Sequence, residues 1–443
     1  MSTLQKVAAE TLGERYRKAR NRTEECFSLI DEETFFSRPL PLRHPIVFYR
    51  GHLAAFAVNT VMKRALGLPG IRPDFEVLFE RGIDPADGAT AEKMAISTWP
   101  PRVEIEAYVA EAGERLSRIF DEIEGGAGSV PARGREAAVM CIEHEAMHQE
   151  TLLYIFHRIE PGRKSPPLRA PRASVGPSPP PEIIRVPAGR ATLGADRGEI
   201  PFGWDNEFPR LSVEVPAFEI DRYDVTNGEF LEFLEAGGYH RESHWLPDDW
   251  AWIRRDEIDH PLYWEKEGGR WKWRTMFEEI ELPLSWPVYV SHAEASAFAR
   301  WRARRLPTEA EFHRAAYGTA AGAERSFPWG EEPPDFSRAN FDLYRYDPVP
   351  VGSFPAGASS WGVDDLLGNG WEWTSSPFAG FPGFEPGPLY PVYSSDFFDG
   401  AHFVMKGGSP ATTGDLLRRT FRNWFQPHYP YPYATFRCAR TAA

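Results

Sequence analysis

The chain has 443 residues, long enough for two or three domains that each bury a core of their own. It carries 50 Lys plus Arg against 64 Asp plus Glu, a formal net charge of −14, which argues against nucleic acid or an anionic membrane as partner. Only three cysteines occur, Cys26, Cys141 and Cys438; that excludes a disulfide framework or a cysteine-based zinc site and fits a reducing, cytoplasmic setting. Residues 1–25 are charged throughout and lack the apolar centre of a signal peptide. No run approaches the roughly 20 apolar residues that a membrane helix needs.

The first 160 residues read as helices. Leu4–Ile30 is charged and amphipathic, whereas Ile46–Leu66 is apolar enough to predict a helix buried on most of its surface. Between them, residues 35–44 hold Pro39 and Pro41 and form a connection. Arg72–Trp99 has weak periodicity. A helix is predicted from Val103 to Ile123 and, after Gly125, Gly126 and Gly128, a fourth from Arg133 to Arg158. This pattern predicts a four-helix bundle, a fold that builds metal sites from inward side chains on facing helices.

The fourth helix holds the run from Cys141 to Glu150. His144 and His148, four apart, fall on nearly one face a turn apart. Two neutral imidazoles so placed reach one iron, zinc, copper or nickel ion. Glu150 is turned away from His148 and is better placed to accept a ring N–H than to bind the ion. His52 stands mid-helix among small and apolar neighbours. Alone it reads as a core histidine; opposite His144 and His148 it becomes a third imidazole from a facing helix. His44 and His157 are poorer candidates. Glu145 completes a His-Glu-x-x-His pattern of zinc proteases, but no further downstream ligand follows it.

From 160 to 181 the composition changes to eight prolines without apolar periodicity, an extended linker or ordered strap. The predicted division is therefore 1–160, a linker at 161–181, and 182–443. The last part is rich in Gly, Pro and Trp. Strand-like pieces fall at 183–189, 211–220, 287–290 and 402–408. Helices are predicted at Thr226–Ala236 and at Ala293–Arg304, the latter resuming after Pro307 as Thr308–Tyr317. There is no internal repeat and no phosphate-binding glycine loop.

Several stretches of this half resemble the sulfatase-modifying, formylglycine-generating superfamily. They are Phe218–Asn227, Arg305-Leu306-Pro307-Thr308-Glu309-Ala310-Glu311-Phe312, Phe327-Pro328-Trp329-Gly330, Gly368-Asn369-Gly370-Trp371-Glu372-Trp373-Thr374 and Lys406-Gly407-Gly408-Ser409. Leu42–His52 with the later His144/His148/Glu150 pattern resembles a DinB-like metal-binding bundle. The two joined are the architecture of the ergothioneine sulfoxide synthases and their ovothiol-pathway relatives. The resemblance implies an α domain followed by an α+β domain of C-type-lectin-like fold. It places Fe(II) ligands on His52, His144 and His148. It implies O2-dependent C–S bond formation between the imidazole of hercynine and a cysteine-type thiol, cysteine or γ-glutamylcysteine. Asn423 and Trp424 fall where the family holds the betaine substrate, and Tyr393 or Tyr390 where it has a proton-donating tyrosine. Met147 replaces a substrate-contacting Gln of some relatives. Selenoneine synthases and 5-histidylcysteine sulfoxide synthases share the architecture, and a non-catalytic metal- or thiol-binding protein on the same two domains is the reading from another class. Cys438 has no cysteine partner near the C-terminus, which argues against a formylglycine-generating activity. The oligomeric state is left open.

Overall fold

The computed structural model describes residues 10–80, 82, 88–93, 98–125, 132–167 and 175–442. The predicted start of the first helix at Leu4, Gly126 and Gly128, and part of the proline-rich linker lie outside the described residues. The chain divides into two compact units, Met1–Ser165 and Pro166–Ala443.

The first unit is helical. α1 (Leu12–Ser28) opens with a capping box: Thr11 Oγ1 accepts the Glu14 N–H, and the Glu14 carboxylate accepts the Thr11 N–H. α2 (Ile46–Ala57) follows Pro45, and all its residues are buried, as its all-round apolar surface dictates. α3 (Pro73–Leu78) and the short α4 (Gly88–Lys93) precede the long α5 (Arg102–Gly125) and α6 (Ala132–His157). α1 and α2 each pack on both α5 and α6. Arg50 of α2 ties three helices together, its guanidinium 2.6 Å from Glu106 of α5 and 2.7 Å from Glu24 of α1.

The sequence predicts one helix from Ile46 to Leu66. Instead the hydrogen bonding changes at Val58, and Val58–Ala65 is π-helical, with bonds such as Leu66 N–H to Val61 C=O at 3.1 Å. In this wider stretch Asn59 donates to the Glu76 carbonyl at 3.0 Å and Lys63 to the Glu76 carboxylate at 3.2 Å, docking the start of α3. Such π segments recur near functional sites.

The second unit mixes short strands with four helices among the described residues. β1 (Ile183–Val186), β2 (Gly189–Leu193), β3 (Leu211–Val215) and β4 (Phe218–Asp221) come first. α7 (Asn227–Glu235) and α8 (Pro247–Arg255) lead to β5 (Trp264–Glu267), β6 (Arg270–Arg274) and β7 (Glu279–Glu281). α9 (His292–Trp301) and α10 (Glu309–Tyr317) precede β8 (Trp371–Pro377), β9 (Phe403–Lys406), β10 (Asn423–Phe425), β11 (Ala434–Thr435) and β12 (Ala439–Thr441). The described strands make sheets ordered β1-β4-β12, β10-β9-β8-β11, β2-β3 and β5-β6-β7. Phe218, Ile220, Phe312 and Ala439 join strands to α10 in one core.

α8 and the β5–β7 sheet are not among the predicted elements. The predicted strand at 287–290 does not form: Val288 N–H goes to Val225 C=O and Val290 N–H to Ala434 C=O, two different segments, so no ladder develops. Arg437 is fully buried. Its guanidinium meets Glu372 at 2.6 and 2.9 Å and Asp224 at 3.0 Å, and donates to the carbonyls of Asp221, Arg222 and Asp364. One side chain thus ties β4 and β8 to the loop residues Arg222, Asp224 and Asp364.

Candidate metal centre

α6 presents His144 and His148 one turn apart, and α2 brings His52 opposite them. Their ligand nitrogens all lie within 4.8 Å of one another. Ring centroids are 4.5 Å apart for His144–His148, 4.8 Å for His52–His148 and 5.0 Å for His52–His144. His52 Nδ1 lies 2.7 Å from the Phe79 carbonyl oxygen, so the hydrogen-bond pattern puts the proton on Nδ1 and leaves Nε2 with its lone pair. That Nε2 is 3.2 Å from Nε2 of His148. Two nitrogens bound at about 2.1 Å to one ion sit roughly 3.0–3.4 Å apart at octahedral to tetrahedral angles, so this spacing fits a shared metal.

Stacking fixes the rings. His144 lies on Phe56 with centroids 3.5 Å apart and planes 7° from parallel; His52 lies on Phe48 at 4.8 Å and 20°. Burial holds the imidazoles neutral, the form that binds metal. Desolvation lowers His52 to about 4, and desolvation with the neighbouring histidines puts His144 and His148 well below the usual value.

Glu145 has no part in this face. Its carboxylate accepts from Thr23 Oγ1 at 2.6 Å and Arg20 at 3.0 Å, both on α1; Glu145 is turned about 100° round α6 from His144 and about 60° from His148. The zinc-protease pattern is therefore a packing contact, not a base beside a metal. Gln149 likewise turns to α1, donating to Ala19 C=O at 2.8 Å and Thr23 Oγ1 at 2.9 Å. Glu150 is buried and Met147 half-buried. His44 packs on Phe48 with ring centroids 4.2 Å apart and planes tilted by 36°, and stands outside the cluster of three.

Within the second unit, Tyr390, Tyr393 and Trp424 come together. Tyr393 meets Tyr390 at 5.7 Å and Trp424 edge-on at 5.3 Å and 79°, while Trp424 stacks on Phe378 at 4.1 Å and 7°. Sequence reasoning missed Trp204, which stacks on Tyr393 at 4.0 Å and 27°. It also missed Asp205 and Asn206, which grip Ser394 next to that tyrosine. No spacing rule reaches from 204 to 393. Asn423 lies on β10, and its Oδ1 accepts the Trp424 N–H at 2.9 Å. Its neighbour Arg422 is paired with Glu309 at 2.9 and 3.1 Å and bonded to the carbonyls of Asn206 and Ala379.

A helical unit with a three-imidazole cluster, followed by an irregular α+β unit, has counterparts among known families. Residues 15–152 match the DinB superfamily, and residues 171–442 match the Sulfatase-modifying factor enzyme 1-like domain. A hercynine oxygenase of Mycolicibacterium smegmatis is 35% identical, covering 95% of this chain and 96% of its own. One from Mycolicibacterium thermoresistibile is 33% identical, covering 95% and 92%. Ergothioneine biosynthesis protein 1 of Neurospora crassa is 28% identical, covering 93% of this chain and 55% of its own. The chain belongs to the ergothioneine sulfoxide synthase family.

Proposed function

We propose that the protein is a non-heme iron, O2-dependent sulfoxide synthase that joins a cysteine-type thiol to the imidazole ring of hercynine in ergothioneine biosynthesis. The observation that carries this reading is the convergence of His52, His144 and His148 in a chain whose relatives are hercynine oxygenases. The same reading carries the finer fold expectations, a four-helix DinB bundle and a C-type-lectin-like second domain, and a cytoplasmic setting.

His52, His144 and His148 would hold the iron, which supplies the redox chemistry that couples sulfur to an imidazole carbon at the expense of O2. The balance is one new C–S bond, with one oxygen atom left on sulfur and the other leaving as water with the protons of the thiol and the ring carbon. Three neutral imidazoles add no negative charge, so they favour an anionic thiolate beside them more than a carboxylate-bearing ligand set does. Asn423 is assigned to the hercynine carboxylate and Trp424, by its ring face, to the quaternary ammonium. Met147, beside His148, is assigned to substrate binding at the position where some relatives use Gln, so the Gln contact is lost or moved here. Tyr393 is assigned as proton donor, since a phenol delivers a proton without first adding negative charge.

Mass spectrometry after incubating the iron-loaded protein with hercynine or histidine under O2, paired with cysteine, γ-glutamylcysteine or a selenosugar, tests the reading. A hercynine–thiol sulfoxide is the expected product. Selenium incorporation or a histidine adduct would reassign the substrate, and metal binding without any product would leave a binding protein.

Tyr393→Phe is expected to keep iron and hercynine affinity yet shift products from C–S coupling toward thiol oxidation to a sulfinic acid. The sulfoxide-to-sulfinate ratio, measured by NMR at equal O2, checks this. A change in Tyr390→Phe with none in Tyr393→Phe moves the role to Tyr390.

A further inference from the structure

A glycine within a helix costs roughly 1 kcal/mol relative to alanine, so its presence in the middle of α2 calls for a packing reason. Gly51 is the residue before His52. A Cβ on Gly51 would lie 2.6 Å from three carbons of the Phe79 ring, nearer than side-chain carbons approach. The Phe79 ring therefore rests directly on the backbone of α2. That ring is fully buried, stacked on Trp99 at 5.7 Å and 23° and met edge-on by Phe75 at 5.7 Å. The Phe79 N–H closes the end of α3 on Phe75 C=O at 2.9 Å, and its carbonyl takes the His52 Nδ1 proton at 2.7 Å.

We propose that Gly51 and Phe79 are positioning residues for the metal site. The seat of the Phe79 ring on Gly51 holds the Phe79 carbonyl where it binds the His52 Nδ1 proton, which selects Nε2 as the ligand atom and sets its direction. This rests on the three-histidine metal reading. The other two imidazoles are held differently: His144 by its face contact with Phe56, while His148 Nδ1 is buried without a hydrogen-bond partner among the described residues. His52 is also the one member of the cluster on α2, so its orientation is not set by the helix spacing that aligns the pair on α6. The Phe48 face supports the plane of the ring, and the carbonyl clamp sets its tautomer and direction, as outer partners of ligating histidines commonly do.

The test uses the full chain and Co(II) as the probe, read by d–d absorption and titration, beside far-UV circular dichroism and thermal melting. Gly51→Ala is expected to melt cooperatively but bind Co(II) 10–100-fold more weakly, the usual loss when such an outer partner is displaced. In the Co(II) form, the hyperfine-shifted His52 Nδ1 proton should exchange with water faster than in wild type. Wild-type protein that does not bind Co(II) defeats the metal reading itself. Wild-type binding with unchanged affinity and proton exchange in Gly51→Ala overturns this inference alone. If Gly51→Ala does not fold, Phe79→Leu, which keeps Gly51 and all three histidines but loses the flat ring, is expected to show the same loss; wild-type affinity there overturns the inference.

Discussion

His52→Ala is expected to abolish iron loading and product formation while the helical unit stays folded. His52 supplies the one cluster nitrogen from α2, and without it only the two imidazoles of α6 remain. The loss should exceed the 10–100-fold typical of removing an outer partner, because a ligand atom itself is gone. Helicity should survive, since α2 is buried along its whole length and Arg50 still ties it to α1 and α5. Iron content after anaerobic loading and gel filtration, with circular dichroism as the fold control, decides it. Full iron content and normal turnover in His52→Ala would remove this residue from the site.

The largest stability effect is expected at Arg437. Substitution by Met leaves Glu372 and Asp224 buried without their cation, and breaking such a pair costs about 3–5 kcal/mol. The cost should depend on pH. Burial already raises Asp224 well above its ordinary carboxylate value, raises Glu372 as well, and lifts Asp365 to about 6. Arg437 lowers all three, so without it they rise further. A carboxyl whose folded-state pKa exceeds its unfolded one loses nothing below the unfolded value and loses stability as pH climbs toward the folded one. Arg437→Met should therefore lie far below wild type at pH 8 in urea unfolding and recover part of the gap at pH 5. An equal gap at both pH values would show that the carboxylates are not what suffers.

Much of the metal centre was legible because its logic is local. The i, i+4 spacing of His144 and His148 fixes their shared face, and the apolar run around His52 buries it on a neighbouring helix. What Glu145 does was not legible, since its partners Arg20 and Thr23 come from α1 through packing that no local pattern encodes. The Phe79 carbonyl left no trace at all, because every residue has one. Some signals were present, though their elements are not among those predicted. α8 has Pro247 at its first position, Asp248 and Asp249 in its first turn, and Arg254 and Arg255 in its last, the order that suits a helix dipole. The β5–β6 hairpin turns at Gly268 and Gly269, both at positive φ, between tryptophan-bearing strands. The aromatic cluster around Tyr393 depends on contacts with Trp204 and Trp424, far apart in sequence. The family resemblance named some of its members, whereas only the fold shows that they touch.

The two helices that carry the histidines are also distant along the chain: His52 and His148 are 96 residues apart. An ion held by both acts as a cross-link, closing a long loop whose freedom the unfolded chain would otherwise keep. For a permanent bridge of that span the chain-entropy argument gives on the order of 4–5 kcal/mol, and a reversible one contributes according to its occupancy. The metal would then be a structural staple as well as a reagent. Stripping it with a chelator should lower the melting temperature of the wild-type protein and leave that of His52→Ala unmoved.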